Sequence, residues 1–141
     1  MTLALIPALF FTVALLVTTT YFLLGGLPLL VLEHDTPLDG RFVRGFFNTY
    51  YLACMFTAGS AAVTYAVVGR FGFGLGAGAL ALLAAALRKK FLPLMDGLRL
   101  RIQEGDVAAI ARFRRLHAIA LLVNLAQLAL IVWTLITFSM K

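Results

Sequence analysis

The sequence predicts an all-α integral membrane protein in which four helices form a bundle. Of its 141 residues, 62% are hydrophobic and only 13% are charged, whereas soluble domains are about half apolar and about a quarter charged. The mean hydropathy is +1.00, and four apolar stretches alternate with short polar ones. A membrane-spanning helix needs about 20 apolar residues, so residues 1–141 suit a single four-span domain.

The four predicted spans cover about residues 3–32, 46–69, 71–92 and 107–140. The segment 25–28 (GGLP) predicts a kink or the end of the first helix, because proline removes a backbone donor. Pro37 and Gly40 predict turns in the loop that follows. Pro93 predicts a kink or the end of the third helix, with a short interfacial helix over 94–102. Gly105-Asp106 then breaks the chain and caps the fourth helix.

Basic residues are concentrated on one side of the predicted topology. Four spans place the first and third loops together, and ten of the twelve Lys and Arg residues lie there: Arg41, Arg44, Arg88, Lys89, Lys90, Arg99, Arg101, Arg112, Arg114 and Arg115. By the positive-inside rule these loops are cytoplasmic and both termini are outside, in a bacterial inner membrane. The net charge of +6 therefore indicates topology and contact of residues 88–115 with anionic lipid headgroups, not nucleic-acid binding.

Glycines at 72, 74, 76 and 78 open the third span. They form two small-xxx-small pairs, 72/76 and 74/78, which let helix backbones approach closely in lipid. A phosphate-binding glycine loop would need a preceding strand and a G-x-G-x-x-G spacing, and the sequence has neither. The glycines therefore predict helix packing.

The fourth helix carries His117, Asn124 and Gln127 in an otherwise uncharged stretch. At 100° per residue, His117 and Asn124 lie within about 20° of each other, and Gln127 lies about 60° further round. These three residues are called the polar stripe below. The topology also brings a polar cluster to the membrane end that holds His117: Glu33, His34, Asp35, Arg41, Arg44 and Arg114.

Three interpretations of these residues compete. In the first, the stripe makes interhelical hydrogen bonds, and the acids of the first loop pair with arginines. In the second, the stripe lines a pocket for an apolar molecule, together with Asn48, Tyr50, Tyr51 and Thr57, and His117 is the candidate catalytic base. In the third, Glu33, His34 and His117 hold a metal. No H-x-x-H, C-x-x-C or E-x-x-H spacing supports that set, so we expect no metal and no cofactor.

Several segments resemble a known family. Phe113 to His117 (FRRLH), followed by Leu122 and Asn124-Leu125, resembles the F-x-x-x-H…L-x-N-L pattern of the transmembrane protein 205-like family, whose bacterial members carry domain of unknown function 4149. Residues 41–51 and 89–103 are similar to two further segments of it. The resemblance implies a four-helix membrane protein without settled chemistry. The first helix is also similar to the anthrone-oxygenase-like four-helix family, which would imply cofactor-independent oxidation.

The function predicted from these observations is non-enzymatic. The polar stripe would bind an apolar small molecule, a lipid or a protein partner. One alternative is a cofactor-independent oxygenase or other small membrane enzyme with His117 as base, which requires an apolar cavity at His117. Another is an accessory subunit or homo-oligomer, which requires the glycine face at 72–78 to be left unpacked.

Overall fold

Four long helices make up the structure, a computed structural model that describes residue 3 and residues 5–140. The helices are α1 (Leu5–Leu29), α2 (Pro37–Val67), α3 (Phe71–Gln103) and α4 (Val107–Ser139), and the described residues form no strand. Consecutive helices run in opposite directions, each packs on the next, and α4 also packs on α1. The predicted all-α four-helix arrangement is therefore confirmed. Each helix is long and apolar enough to cross a membrane.

The second helix begins at Pro37, nine residues before its predicted start at 46. The prediction of a turn at Pro37 and Gly40 is therefore wrong. Thr36 is the N-cap, and its hydroxyl accepts the backbone N–H of Asp39 at 3.2 Å. Pro37 occupies the first helical turn, where its missing N–H costs nothing. Gly40 lies inside the helix, where a Cβ would approach Cγ of Arg99 to 2.6 Å. Gly40 thus allows α2 and α3 to approach closely.

The third helix runs without interruption through Pro93 to Gln103, so its predicted end near 92 and the separate helix over 94–102 are wrong. A proline inside a helix removes one hydrogen bond and usually kinks it. Leu92 and Met95 beside it are buried in the core, and this packing continues the helix on both sides. By contrast, α1 ends at Leu29, one residue after Pro28, as the 25–28 segment predicts.

The third and fourth helices are joined by a tight turn at the predicted break. Gly105 has φ +89°, a conformation that favours glycine, and Asp106 is the N-cap of α4. The Asp106 side chain makes no capping hydrogen bond. Its carboxylate instead lies 3.3 Å from Nε of Arg101. The break is therefore confirmed, but Asp106 pairs with an arginine where capping was expected.

The core is centred on α2, which contributes Phe47, Tyr50, Tyr51 and Cys54 to it. The contact between α2 and α3 is the most extensive in the bundle, whereas the contacts of α4 with α3 and with α1 are much less extensive. Gly26 lies against Leu121, where a Cβ would come within 2.5 Å of its side chain. Helix α4, which carries the polar stripe, makes the least extensive contacts with the other helices.

Two ends of the bundle are distinguished below. The histidine end contains the α1–α2 connection at residues 30–36 and the α3–α4 turn at residues 104–106. The groove end contains the α2–α3 connection at residues 68–70 and the last turns of α4. All six Asp and Glu residues of the chain belong to the histidine end: Glu33, Asp35, Asp39, Asp96, Glu104 and Asp106.

Candidate functional site

The polar stripe faces the interior of the bundle along its whole length. His117 and Asn124 are fully buried and Gln127 is 3% exposed, on the same face as Phe113 and Ile131. At 1.5 Å per residue, His117 and Asn124 are about 10 Å apart along the helix, and Gln127 is about 5 Å further on. The stripe therefore places polar groups at three depths of an otherwise apolar core.

His117 makes a buried contact with His34 of the α1–α2 connection. Nε2 of His34 lies 3.2 Å from Nδ1 of His117, so one imidazole donates and the other accepts. The rings of Phe47 and Phe113 pack edge-on or tilted against this pair at centroid distances of 5.4 and 5.5 Å. The pair connects the α1–α2 connection to α4, and both side chains are fully buried.

His34 adopts an uncommon backbone conformation, with φ +59°. The left-handed region costs a non-glycine residue roughly 1–2 kcal/mol, and the burial of the ring against His117 offsets that cost. Burial also lowers the pKa of His34 below its ordinary value of 6.5; the backbone of Leu32 works in the opposite direction, and the positive charge of Arg114 lowers the pKa further. His34 is therefore neutral at neutral pH.

Tyr50 and Gln127 form the second polar contact of the core. The Tyr50 hydroxyl donates to Oε1 of Gln127 at 2.7 Å. Nε2 of Gln127, both amide atoms of Asn124 and Oγ1 of Thr19 have no hydrogen-bond partner among the described residues. Each unpartnered buried polar group costs about 1–3 kcal/mol. The middle of the bundle therefore contains hydrogen-bonding groups that no neighbouring side chain among the described residues satisfies.

The other predicted pocket residues lie outside this core contact. Asn48 is half-buried, and its Oδ1 accepts from Nε of Arg88 at 3.0 Å. Tyr51 is buried beside Phe47, and Thr57 hydrogen-bonds only the carbonyls one turn back in α2. The structure thus brings Tyr50 to the polar stripe and directs Asn48 and Thr57 elsewhere.

The predicted polar cluster divides into one buried and several exposed members. His34 is buried, whereas Glu33, Asp35, Arg41 and Arg114 are exposed. The acids of the first loop form no ion pair among the described residues, contrary to expectation. Within the same described part of the chain, no group of three His, Cys, Asp or Glu side chains is placed to hold a metal.

Asp96 is the acid that pairs with arginines at this end, and the sequence analysis missed it. Its carboxylate accepts two hydrogen bonds from Arg44 and lies 3.1 Å from Arg99. The side chains are partly exposed, so the ion pairs contribute little stability individually. Asp96 is the only acidic residue in the basic segment 88–101, and this isolation is the feature of the sequence that indicates an ion pair.

A groove of about 820 Å³ lies at the groove end, between α3 and α4. Apolar side chains form most of its wall, and it reaches inward to α1 and α2. The wall includes Leu80 and Leu83 from α3, and Leu130 and Trp133 from α4. Small-molecule sites have volumes of about 300–1,000 Å³, so the groove has room for a ligand.

Two hydroxyl groups form the floor of this groove. Oγ1 of Thr12 lies 2.8 Å from the carbonyl of Ala8 and 3.1 Å from the Tyr65 hydroxyl. Because Thr12 has one proton to donate, it donates to Ala8 and receives the proton of Tyr65. Both hydroxyl protons are thus used within the floor, which leaves the groove wall essentially apolar.

The glycine face of α3 is divided between packing and groove. Gly74 packs on the α2 backbone, where a Cβ would lie 3.2 Å from the carbonyl of Ala62, and Gly78 faces the side chain of Ala62. Gly72 and Gly76 face open space and line the groove. Close packing is therefore found for the 74/78 pair and not for the 72/76 pair.

A second groove of about 560 Å³ lies on the outer surface between α1 and α2, beside Phe22, Phe42 and Phe46. Arg41 is one of its lining residues. Neither groove is lined by a residue of the polar stripe. The α3–α4 groove comes closest in sequence, because its wall residue Ile131 follows Gln127 by one helical turn.

No protein-family model, no curated protein and no solved structure matches this chain. The resemblance of residues 113–125 to the transmembrane protein 205-like family therefore stays a prediction.

Proposed function

We propose that this chain is an integral protein of the bacterial inner membrane that binds an apolar small molecule or lipid chain in the α3–α4 groove. The ten-to-two distribution of basic residues supports an orientation with the histidine end in the cytoplasm and both termini outside. The groove is then open sideways to the hydrocarbon of the outer leaflet. A ligand enters it from the lipid, without passing through water.

The observation that carries this proposal is the groove itself. It is an apolar cleft of about 820 Å³ in a bundle of only 141 residues, and it is left open by two helices that are joined at their other end. Its inner wall includes Leu15 and Ile131. One turn further in lie Oγ1 of Thr19 and Nε2 of Gln127, which have no hydrogen-bond partner among the described residues. A ligand with a carbonyl or hydroxyl group would reach the polar stripe from there by displacing Leu15 and Ile131.

Trp133 tests the proposal, because it is the only tryptophan of the chain and it lines the groove. The vesicles consist of unbrominated phosphatidylcholine with increasing amounts of a chain-brominated fatty alcohol. A groove that takes this single chain in preference to the two-chain host lipid adds a part that saturates at low mole fraction to the proportional quenching of Trp133, whose side chain is 69% exposed. A lipid-facing reporter is provided by Leu75→Trp in a Trp133→Phe background, because Leu75 is exposed on the outer turns of α3. Its quenching should rise in proportion to mole fraction.

Two glycines of α3 provide a matched pair of variants. A Cβ on either Gly76 or Gly97 meets nothing within 4 Å, but only Gly76 lines the groove. We expect Gly76→Leu to fill the groove and abolish saturation, and Gly97→Leu to leave it unchanged. Proportional quenching of Trp133 in the unmodified protein would contradict the proposal.

A second candidate is a helix of another protein, or of a second copy, lying in the same groove. The open faces of Gly72 and Gly76 favour it, because small residues admit a helix backbone closely. The chain has one cysteine, Cys54, and it is buried. Gly72→Cys therefore introduces a single accessible thiol. Rapid disulfide formation between copies of this variant, with none for Gly97→Cys, would identify a second copy as the occupant.

The enzymatic alternative requires substrate to reach His117. Nδ1 of His117 is occupied by His34, and Phe47 and Phe113 pack around the two rings. Neither groove is lined by His117. Catalysis with His117 as base thus rests on the residue type and on its buried Nε2, which has no partner among the described residues, and we do not propose it because neither groove reaches that atom.

A further inference from the structure

Among residues 5–140, the rim of the α3–α4 groove carries one positive charge, that of Arg70. This residue lies in the α2–α3 connection, where its backbone N–H donates to the carbonyl of Tyr65 at 2.9 Å. Its guanidinium carbon lies 5.9 Å from the centroid of the Phe138 ring in the last turns of α4. Arg70 is therefore positioned across the mouth of the groove, between the two helices that border it.

No acidic residue of the chain is near enough to neutralise Arg70. Asp and Glu are absent from residues 40–95 and from residues 107–141, and all six lie at the histidine end. Arg70 forms no ion pair among the described residues. At the histidine end, Arg44, Arg99 and Arg101 each have a carboxylate partner, and the other basic residues have none among the described residues. What distinguishes Arg70 is its place at an apolar groove, with no carboxylate partner in residues 5–140.

An unpaired guanidinium at the mouth of an apolar groove matches the chemistry of an anionic phospholipid. The acyl chain needs an apolar wall open to the bilayer, and the phosphate needs a donor at headgroup depth. Guanidinium groups bind phosphate oxygens through two parallel N–H donors. In the first turn of α3, directly after Arg70, the backbone N–H groups have no helical acceptor, and no acidic side chain occupies that turn.

We propose that the α3–α4 groove is selective for anionic phospholipid, with one acyl chain in the groove and the phosphate at Arg70. This inference rests on the proposed function, because it names the class of molecule that the groove takes. It requires selectivity for the headgroup, whereas the proposed function requires only that a chain occupies the groove. The two can therefore fail separately.

The test compares two brominated lipids at Trp133. Quenching is measured as a function of mole fraction with chain-brominated phosphatidylglycerol and with chain-brominated phosphatidylcholine, each diluted into unbrominated phosphatidylcholine. Brominated phosphatidylcholine exchanges equally with the host lipid, so its quenching should rise in proportion to mole fraction. We expect half-maximal quenching at about threefold lower mole fraction of phosphatidylglycerol, because the roughly 1 kcal/mol that a basic residue gains at an anionic surface is about a fivefold relative affinity. The lipid-facing reporter, Leu75→Trp with Trp133→Phe, should show no such preference.

Variants of Arg70 assign the preference to this residue. Arg70→Gln should bring the two half-maximal mole fractions together, whereas Arg70→Lys should keep most of the preference and so exclude misfolding as the cause. Lys90→Gln is the matched control, because it removes one exposed charge from the opposite end. It should leave the preference unchanged.

The possible results separate the two proposals. Equal half-maximal mole fractions for the two phospholipids overturn the selectivity, while saturable quenching by the fatty alcohol keeps the groove as a chain-binding site. A preference that survives Arg70→Gln also overturns the role of Arg70. Purely proportional quenching of Trp133 by the fatty alcohol overturns the groove as a binding site, and the selectivity with it.

Discussion

The two ends of this bundle are built in opposite ways. At the histidine end, two imidazoles meet at 3.2 Å between phenylalanine rings, and Asp96 joins Arg44 to Arg99. At the groove end, α3 and α4 are separated by an apolar cleft, and the chain has no acidic residue there. At one end the same two helices are thus joined by a tight turn, with polar contacts from α4 to the α1–α2 connection and from α3 to α2, and at the other end they are separated.

The difference separates two tasks within one small chain. Polar contacts at the histidine end hold the helices in register, because a buried hydrogen bond is specific in geometry and costly to break. The groove end is then free to remain unfilled, since its helices are positioned from the far end. A change at the histidine end should therefore alter the stability of the bundle, whereas a change at the groove end should alter what it binds.

The largest effect is expected from His117→Ala. The substitution leaves a cavity between Phe47 and Phe113 and removes the partner of His34, so we expect the free energy of unfolding in detergent to fall by about 2–4 kcal/mol. In protein that remains folded, Trp133 should keep its emission maximum, because it lies at the other end. A shifted Trp133 spectrum in folded His117→Ala would show that the two ends are not independent.

A substitution at Asn124 is expected to raise the free energy of unfolding, in contrast to His117→Ala. Both amide atoms of Asn124 are buried without a partner among the described residues, so Asn124→Leu should raise the free energy of unfolding of the ligand-free protein by about 1–2 kcal/mol. Gln127→Leu is the comparison, because it also removes the acceptor of the Tyr50 hydroxyl and should stabilise less or destabilise. A loss of stability in Asn124→Leu would indicate that the amide is satisfied by a bound molecule.

The smallest effect concerns pH and sharpens the description of the histidine end. The pKa of His34 is held below 6.5 by burial and by Arg114, so the unfolded chain takes up a proton near pH 6.5 that the folded chain does not. Stability should therefore be complete above that pH and decrease as the pH falls below it. Arg114 and Asp39 act on this imidazole from α4 and α2, and His117 faces it directly.

Thermal unfolding between pH 7.5 and pH 5 measures this dependence. His34→Gln should reduce the pH dependence, because a glutamine does not titrate in this range, and the buried His117 accounts for what remains. Arg114→Gln should reduce the slope without removing it, since burial remains the larger cause. An unchanged slope in His34→Gln would assign the pH dependence to another group.

Much of the fold follows from hydrophobic length and local signals. The stretches that begin at Phe71 and Val107 are helices from those residues, and Gly105 makes the break between them. The wrong predictions occur at prolines, which are found both in turns and within helices. Pro37 alone predicts a turn, whereas Thr36 before it and Asp39 after it form an N-terminal helix signal. Pro93 alone predicts a helix end, whereas the core packing of Leu92 and Met95 continues the helix.

The candidate sites depend on features that a linear pattern does not contain. Periodicity predicts that His117, Asn124 and Gln127 share a face, but the contact of His117 with His34 depends on the positive φ of a single loop residue. The groove depends on the angle at which α3 and α4 diverge, which is set by the sizes of many side chains together. Arg70 could have been singled out, because it is the one basic residue between 45 and 87.

In the proposed orientation the groove opens sideways to lipid, and this changes what its affinity means. A molecule that exchanges between the groove and the surrounding lipid never dissolves in water, so burial of its chain is matched by burial in the bilayer and gives almost no net driving force. Occupancy then follows the composition of the leaflet as a mole fraction, in the manner of mass action. Shape and headgroup charge remain as the terms that distinguish one lipid from another, and a cell would fill or empty the site by altering its lipid synthesis.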